Sequence, residues 1–303
     1  MKLLAYAPRD ATTGAAGTRL GLLTDEGIRD LGEATGAHDL GELLASGRSV
    51  READGGELID PSTVTSRAPI ARPGKIIGVG LNYHDHCREQ GVEPPPYPPL
   101  FAKFANAIAD PGQAIVRPRV TEQLDLECEL AVVIGRRSSR IGREEALDHV
   151  FGFTIVNDIT MRDLQHEDRR WLRAKGSDGF APIGPVVVTR DELGDTSALR
   201  LRSAVNGETW QDSSTAEMIF DVPTIVAFAS RTITLEPGDI IATGTPAGVG
   251  HFQRPPRYLH HGDRLRCEIE GIGALENSVV DELPRTTDHA AAAGVAELME
   301  VVR

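Results

Sequence analysis

Aromatic side chains are scarce in this 303-residue chain: 8 Phe, 4 Tyr and 2 Trp make up 5% of it, so a core has to be built mainly from Val, Ile, Leu and Ala. Positive charge is in deficit too, with 32 Lys and Arg against 45 Asp and Glu and a formal net charge of −13. That balance excludes a nucleic-acid partner, because phosphate binding rests on clustered basic residues that release counterions. Long apolar runs are missing. The longest, Leu130 to Ile134 and Ile225 to Ala229, fall far short of the ~20 residues a membrane-spanning helix needs, so no membrane partner is expected. The opening MKLLAYAPRDATTG carries one Lys and an apolar patch that ends at Pro8. It is too short for a signal peptide, and a cytoplasmic location is expected. Three cysteines, Cys87, Cys128 and Cys267, are odd in number, far apart and free of CxxC spacing. They argue against a disulfide framework and against a thiolate zinc site, and are expected to be reduced.

What is present is ordinary for a globular protein: 40% hydrophobic and 25% charged residues. The length allows one large domain or two ordinary ones at roughly 150 residues each. The first segment has short strand candidates at Lys2 to Tyr6, Thr18 to Leu23 and Gly27 to Leu31, with a turn at Asp25-Glu26-Gly27. A short helix is expected over Asp39 to Ala45, and the polar stretch from Gly47 to Ser66 reads as a connector. A domain boundary is placed near Arg72-Pro73-Gly74, giving residues 1–72 and 73–303. Beyond it, strands are predicted at Lys75 to Val79, Glu127 to Ile134, Phe151 to Asn157, Pro185 to Thr189, Leu199 to Val205, Ile240 to Thr243, Arg264 to Ile269 and Ala274 to Val280. Asn206-Gly207 is a hairpin signal, since both turn positions favour positive φ. Helices are expected at His84 to Gln90, Arg143 to His149, Arg162 to Arg173 and Thr224 to Ser230. Strands and long helices do not alternate, which disfavours a doubly wound protein. Compositional bias is confined to the Pro94 to Pro99 cluster and the Ala290 to Ala293 run.

The sharpest chemical feature is LDLECELAVVIG, Leu124 to Gly135. Alternate strand residues share a face, so Asp125, Glu127 and Glu129 project one way while Leu126, Cys128 and Leu130 project the other. Two readings stand: a half-exposed strand with a solvated acidic face, or a set of oxygen ligands whose repulsion a divalent cation relieves. Hard carboxylate ligands suit Mg²⁺, Mn²⁺ or Ca²⁺ better than zinc. Asp158 ends the apolar run from Phe151. It is either a turn or N-cap residue, or a third ligand completing a facial site with positions left for water and substrate. In GVGLNYHDHCRE, His86 and Glu89 are three residues apart on a helix face, where the carboxylate orients the imidazole and raises its basicity; an incidental surface pair is the alternative. A GxGxxG loop is rejected, because its third glycine position is Tyr83. Lys175 lies among glycines, placed to stabilise an oxyanion or simply solvated. TGTPAGVG, Thr243 to Gly250, offers hydroxyls and unhindered N–H groups as a carboxylate cradle without the ending of a phosphate loop. No Gly-x-Ser-x-Gly elbow supports a serine hydrolase.

In this order the segments resemble the fumarylacetoacetate hydrolase family. The likeness runs through KIIGVGLNYHDHCREQG, PPLFAKF, DLECELAVVIGR, FGFTIVNDITMRDLQ, AKGSDGFAPIGP, VNGETWQDSSTAEMIF, LEPGDIIATGTPAGVG and GDRLRCEIEGIGALEN, and so covers about Lys75 to Val280. The resemblance implies an α+β fold with rolled mixed sheets forming a barrel-like core, a small N-terminal accessory domain, and a homodimer. It implies that Glu127, Glu129 and Asp158 hold Mg²⁺, with Asp125 behind them. His86 and Glu89 match a water-activating pair on a mobile lid, Lys175 an active-site lysine, and Arg162, Gln165 and Thr245 the substrate pocket. Two departures bear on substrate choice: His84 stands where the family often has Ala, and Lys175-Gly176-Ser177-Asp178 stands for Lys-Ser-Phe-Asp.

The implied reaction is Mg²⁺-dependent C–C hydrolysis of an acylpyruvate or 1,3-diketo acid, of the kind met in aromatic compound catabolism. His86 and Glu89 activate water, Lys175 stabilises the oxyanion, and pyruvate leaves as a metal-bound enolate. The same chemistry serves an oxaloacetate decarboxylase or a 2-hydroxyhepta-2,4-diene-1,7-dioate isomerase. A non-catalytic dicarboxylate-binding protein is the remote alternative, against which a complete general base argues.

Overall fold

Short runs of Val, Ile, Leu and Ala, punctuated by Gly and Pro, give a chain dominated by strands. Its computed structural model describes residues 1–9, 17–50, 56–169 and 171–284. Among the described residues twelve strands join one mixed sheet. Its path runs Leu58–Ile59, Gly27–Asp30, Arg19–Thr24, Lys2–Pro8, Ala181–Thr189, Val150–Asn157, Cys128–Ile134, Ile240–Ala242, Ile76–Val79 and Leu100–Lys103. Val64–Arg67 pairs with Lys2–Pro8, and Ile108–Ala109 runs parallel to Ala181–Thr189. A second sheet orders Glu208–Ser214, Arg200–Val205, Arg264–Ile269, Gly273–Asp281 and Ala114–Arg117.

The strand Cys128–Ile134 shows why the sheet is built this way. All seven of its residues are buried. Cys128, Leu130, Val132 and Ile134 enter one apolar cluster with Leu265, Cys267 and Ile269 of the second sheet. Ala131 and Val133 enter another with Leu40 and Leu43 of the helix Leu40–Ser46. Period-two alternation thus feeds two cores rather than one core and solvent, and each buried Leu, Ile or Val contributes roughly 1.5–3 kcal/mol.

The Asn206-Gly207 turn forms as expected, with φ of 53 and 82 and Val205 opposite Glu208. So does the first hairpin, Thr24 opposite Gly27. Asp39 caps the helix Leu40–Ser46 by accepting from the Glu42 N–H. The stretch read as a connector is more than that: residues 51–55 lie outside the described set, but Leu58–Ile59 and Val64–Arg67 extend the main sheet. Its polar residues hid two short strands whose partners lie far away in sequence. The helix expected over Arg162 to Arg173 is two, Arg162–Glu167 and Leu172–Lys175, divided where Trp171 adopts φ 62. That over Arg143 to His149 shrinks to a 3-10 turn, Ala146–His149.

Lys2 and Leu3 pair with Val188 and Val187, so the first segment shares the main sheet. No ladder among the described residues joins the Leu58–Ile59 edge to the Leu100–Lys103 edge, so the barrel expectation is corrected to an open mixed sheet. The Ala290 to Ala293 run lies outside the described residues. Among the described residues no helix is long and apolar enough to cross a membrane.

Candidate active site

Antiparallel pairing of Cys128 with Asn157 brings two strand ends together. Glu127 sits just before one strand and Asp158 just after the other, and the Asp158 N–H donates to the Glu127 carbonyl at 2.8 Å. Glu129 lies within the strand and accepts the Gly244 N–H at 2.8 Å. Each of Glu127, Glu129 and Asp158 is buried, and one carboxylate oxygen from each lies within 4.8 Å of the others. Asp125 stands apart, because the chain leaves the strand at Leu126. It accepts from Arg162 Nε at 2.9 Å, from the Gly250 N–H at 2.9 Å and from the His251 N–H at 3.0 Å.

Three buried cations balance these acids. Lys175 Nζ meets Glu127 at 2.7 Å, Asp158 at 2.6 Å and Thr160 Oγ1 at 2.8 Å. Arg162 reaches Glu127 at 2.8 Å. Lys103 contacts the other oxygen of Asp158 and donates to the Phe180 carbonyl at 2.8 Å. Burial alone would push the Glu127 carboxyl up, but Lys175 and Arg162 outweigh it and hold it down at about 2. Glu129, without such partners, is pushed well above the usual carboxylate range by burial and then by Asp158 and Glu127. Burial holds the Lys103 ammonium below its ordinary value despite Asp158. For Lys175 burial acts the same way, but Asp158 and Glu127 more than offset it and the value rises. An oxygen-only cluster in which one carboxyl resists ionising fits a divalent cation of the Mg²⁺, Mn²⁺ or Ca²⁺ kind.

The helix His84–Gln90 forms over the expected residues, capped by Gly91 at φ 68. His86 Nδ1 lies 2.5 Å from Glu89 Oε1. An ionised carboxylate only accepts, so Nδ1 carries the proton and Nε2 is the basic nitrogen. Gln90 Nε2 stands 2.7 Å from that Nε2. The other oxygen of Glu89 accepts the Gly248 N–H at 2.9 Å.

Glu127, Glu129 and His86 line a cavity of about 180 Å³, together with Arg162, Gln165, Lys175 and Thr245. Every catalytic, metal and substrate position expected from the sequence therefore lies at or around this cavity, with Asp158 and Glu89 just behind its wall. Some expectations are corrected. Three glycine N–H groups of the Thr243 to Gly250 loop are already taken by the protein's own carboxylates: Gly244, Gly248 and Gly250 donate to Glu129, Glu89 and Asp125. His84 is exposed and does not line the cavity. Gly176 is needed because a methyl there would lie 2.6 Å from the Leu172 carbonyl, not because it shapes the pocket.

Sequence reasoning missed Lys103, Gln90, His166, His251 and the Phe101, Trp171 and Phe252 walls. Lys103 lay inside PPLFAKF, and its signal was a lone Lys in an otherwise apolar run. His166 and His251 sit in segments whose mutual approach depends on contacts distant in sequence.

Fold and site together define an enzyme with a buried acidic triad able to hold a divalent metal ion. The family described as Fumarylacetoacetate (FAA) hydrolase C-terminal matches residues 75–280. The chain belongs to the fumarylacetoacetate hydrolase family. Oxaloacetate tautomerase FAHD2A, mitochondrial, of Bos taurus is 43% identical over 277 residues, 88% of this chain and 88% of the relative. The fumarylacetoacetate hydrolase from psychrophilic Exiguobacterium antarcticum aligns with a TM-score of 0.82 at 38% identity, covering 93% of this chain and 100% of that one. Maleylpyruvate hydrolase from Sphingobium sp. SYK-6, solved in complex with manganese (II) ion and pyruvate, gives a TM-score of 0.77 at 30% identity, with 93% and 100% covered.

Proposed function

We propose that the protein interconverts the keto and enol forms of a small 2-oxo dicarboxylate such as oxaloacetate. The observation that carries this reading is the size of the cavity. At about 180 Å³ it falls below the roughly 300–1,000 Å³ of pockets for larger ligands, and it suits a four-carbon acid better than a long acyl chain. The name of the bovine relative supports the same substrate.

A divalent cation, Mg²⁺ or Mn²⁺, held by Glu127, Glu129 and Asp158, supplies Lewis-acid stabilisation of negative charge on the 2-oxo oxygen. The remaining work belongs to side chains. His86 Nε2 takes the proton from the carbon beside the keto group, so a C–H bond breaks, and the same proton is delivered to the oxygen to make the enol O–H. Glu89 holds the imidazole in the required tautomer and steadies its charged form. Gln90, 2.7 Å from Nε2, has to give up this contact for the nitrogen to reach the substrate. The Lys175 ammonium adds positive charge next to the developing oxyanion. Arg162 is spent mainly on Asp125, Glu127 and Gln165, so it shapes the pocket more than it grips a ligand.

C–C hydrolysis of an acylpyruvate is the second reading, favoured by the likeness to a hydrolase solved with pyruvate; His86 would then deprotonate water instead of carbon. This reading also keeps a homodimer, a cytoplasmic location, and residues 1–72 as an accessory unit to a catalytic unit formed by 73–303. The test is the decay of the enol absorbance of oxaloacetate after mixing with Mg²⁺- or Mn²⁺-loaded protein. Acceleration that disappears in His86→Gln is expected. Cleavage of an acylpyruvate with no effect on the enol would overturn tautomerisation in favour of hydrolysis.

A further inference from the structure

We propose that His251, assisted by His166, receives the distal carboxylate of the substrate and sets a preference for diacids over monoacids; the inference rests on the reading of the cavity as a 2-oxo acid site. Neither histidine belongs to the triad or to the His86 pair. Both line the cavity, with ring centroids 5.6 Å apart.

His251 is held as a fixture. Its N–H and that of Gly250 are both fastened to Asp125, at 3.0 and 2.9 Å. Its ring stands edge-on to Phe252, with centroids 4.8 Å apart. Nδ1 lies 3.0 Å from the Tyr258 hydroxyl. With the hydroxyl donating to Nδ1, the hydrogen of a neutral imidazole sits on Nε2, and this is the tautomer in which the ring serves a carboxylate. Burial, and then the neighbouring Arg162, hold the imidazole below its ordinary pKa, in keeping with the neutral form. The Nε2–H has no protein acceptor among the described residues and is a donor in the cavity lining.

The surroundings match an anion. Gln165 gives its carbonyl oxygen to Arg162 at 3.1 Å, which frees its amide N–H groups. The nearby carboxylates are already engaged: Asp125 by Arg162 and two backbone N–H groups, Asp163 by Thr121 and the Glu122 N–H. His166 is exposed and completes the set where the cavity meets solvent. Donors without competing acceptors are what a carboxylate requires.

Calorimetry of the Mn²⁺-loaded protein with oxaloacetate and with pyruvate tests this. In His251→Phe, which keeps the ring and its edge contact, oxaloacetate should bind about tenfold more weakly while pyruvate is unchanged, the loss expected for one hydrogen bond to a charged group. His251→Gln, which keeps an N–H donor, should recover part of the loss, a result that packing alone would not produce. Equal loss of both ligands, or loss of neither, overturns the proposal. The measurement is independent of turnover: the oxaloacetate–pyruvate split without enol conversion would sink the tautomerase reading and leave the diacid subsite standing.

Discussion

Lys103 and Lys175 close on one carboxylate from opposite sides: Lys175 Nζ sits 2.6 Å from Asp158 Oδ2, while Lys103 Nζ contacts Oδ1. All three side chains are buried. The two ammonium groups balance a fully buried carboxylate, and this gives Lys103 a structural role that a surface lysine would not have.

Replacing Lys103 by Met keeps the length of the stem and removes the charge. Taking one partner from a buried ionic cluster costs about 3 kcal/mol, so metal-free Lys103→Met should unfold at distinctly lower urea than the wild type, with Mg²⁺ narrowing the gap by supplying positive charge. Equal midpoints in chelator would contradict the contact.

Glu129 gives a pH dependence with a definite sign. Its carboxyl titrates higher in the folded chain than its ordinary 4.5. The folded state therefore holds a proton that the unfolded chain releases. The stability this brings is complete below 4.5 and is lost as pH rises toward the folded value. In chelator, stability should fall as pH rises above the ordinary 4.5, at up to about 1.4 kcal/mol per pH unit from this one proton. Glu129→Gln should show a shallower slope, and Mg²⁺ should flatten that of the wild type. Identical slopes for wild type and variant in chelator would refute the shift.

His86→Asn should lower turnover about a hundred- to ten-thousandfold, the range for loss of a general base. Glu89→Ala should act in the same direction, since it frees the imidazole tautomer and abandons the Gly248 N–H. Neither change touches a carboxylate of the triad, so Mn²⁺ affinity measured by calorimetry should hold steady. Undiminished turnover in His86→Asn would remove the base from the mechanism.

Gly78 matters through an aromatic ring. A methyl at this position would lie 2.1 Å from the Phe101 ring, and Lys175 Nζ stands 5.3 Å from the centroid of that ring. Gly78→Ala should therefore displace Phe101, destabilise the fold by about 1–3 kcal/mol as overpacking does, and lower turnover as well. A variant of wild-type stability and rate would show that the strand yields without moving the ring.

Alternation and a strand end brought the acids of the triad into view as local signals. They also counted Asp125 in, and it was the family resemblance that singled out Glu127, Glu129 and Asp158. Glu127 and Glu129 are two residues apart, and Asp158 follows an apolar run. What alternation left open was the environment: a strand with one acidic face reads as half-exposed, whereas Cys128–Ile134 is covered on both sides. The helix His84–Gln90 was legible for the same local reason. Lys103 was not, since its meaning comes from Asp158, 55 positions away. The glycine-rich loop was recognised as a carboxylate cradle, but whose carboxylates it holds depends on long-range register. Trp171 broke a predicted helix because its conformation follows from packing against Gly80 and Phe101, not from any helix-stopping residue.

In the proposed mechanism, proton transfer and metal binding fall to separable parts of the chain. Glu127, Glu129 and Asp158 are anchored at the ends of core strands, where a change propagates through two packed layers. His86, Glu89 and Gln90 ride on one seven-residue helix, attached to the rest by outward contacts such as Asp85 with Ser213 at 2.6 Å and Arg88 with Glu217 at 2.9 Å. That division is a form of modularity. Substitutions within a single short segment can redirect the proton, toward carbon, water or neither, while the costly electrostatics of the buried acids stay intact, and so one scaffold can diversify its reactions without refounding its core.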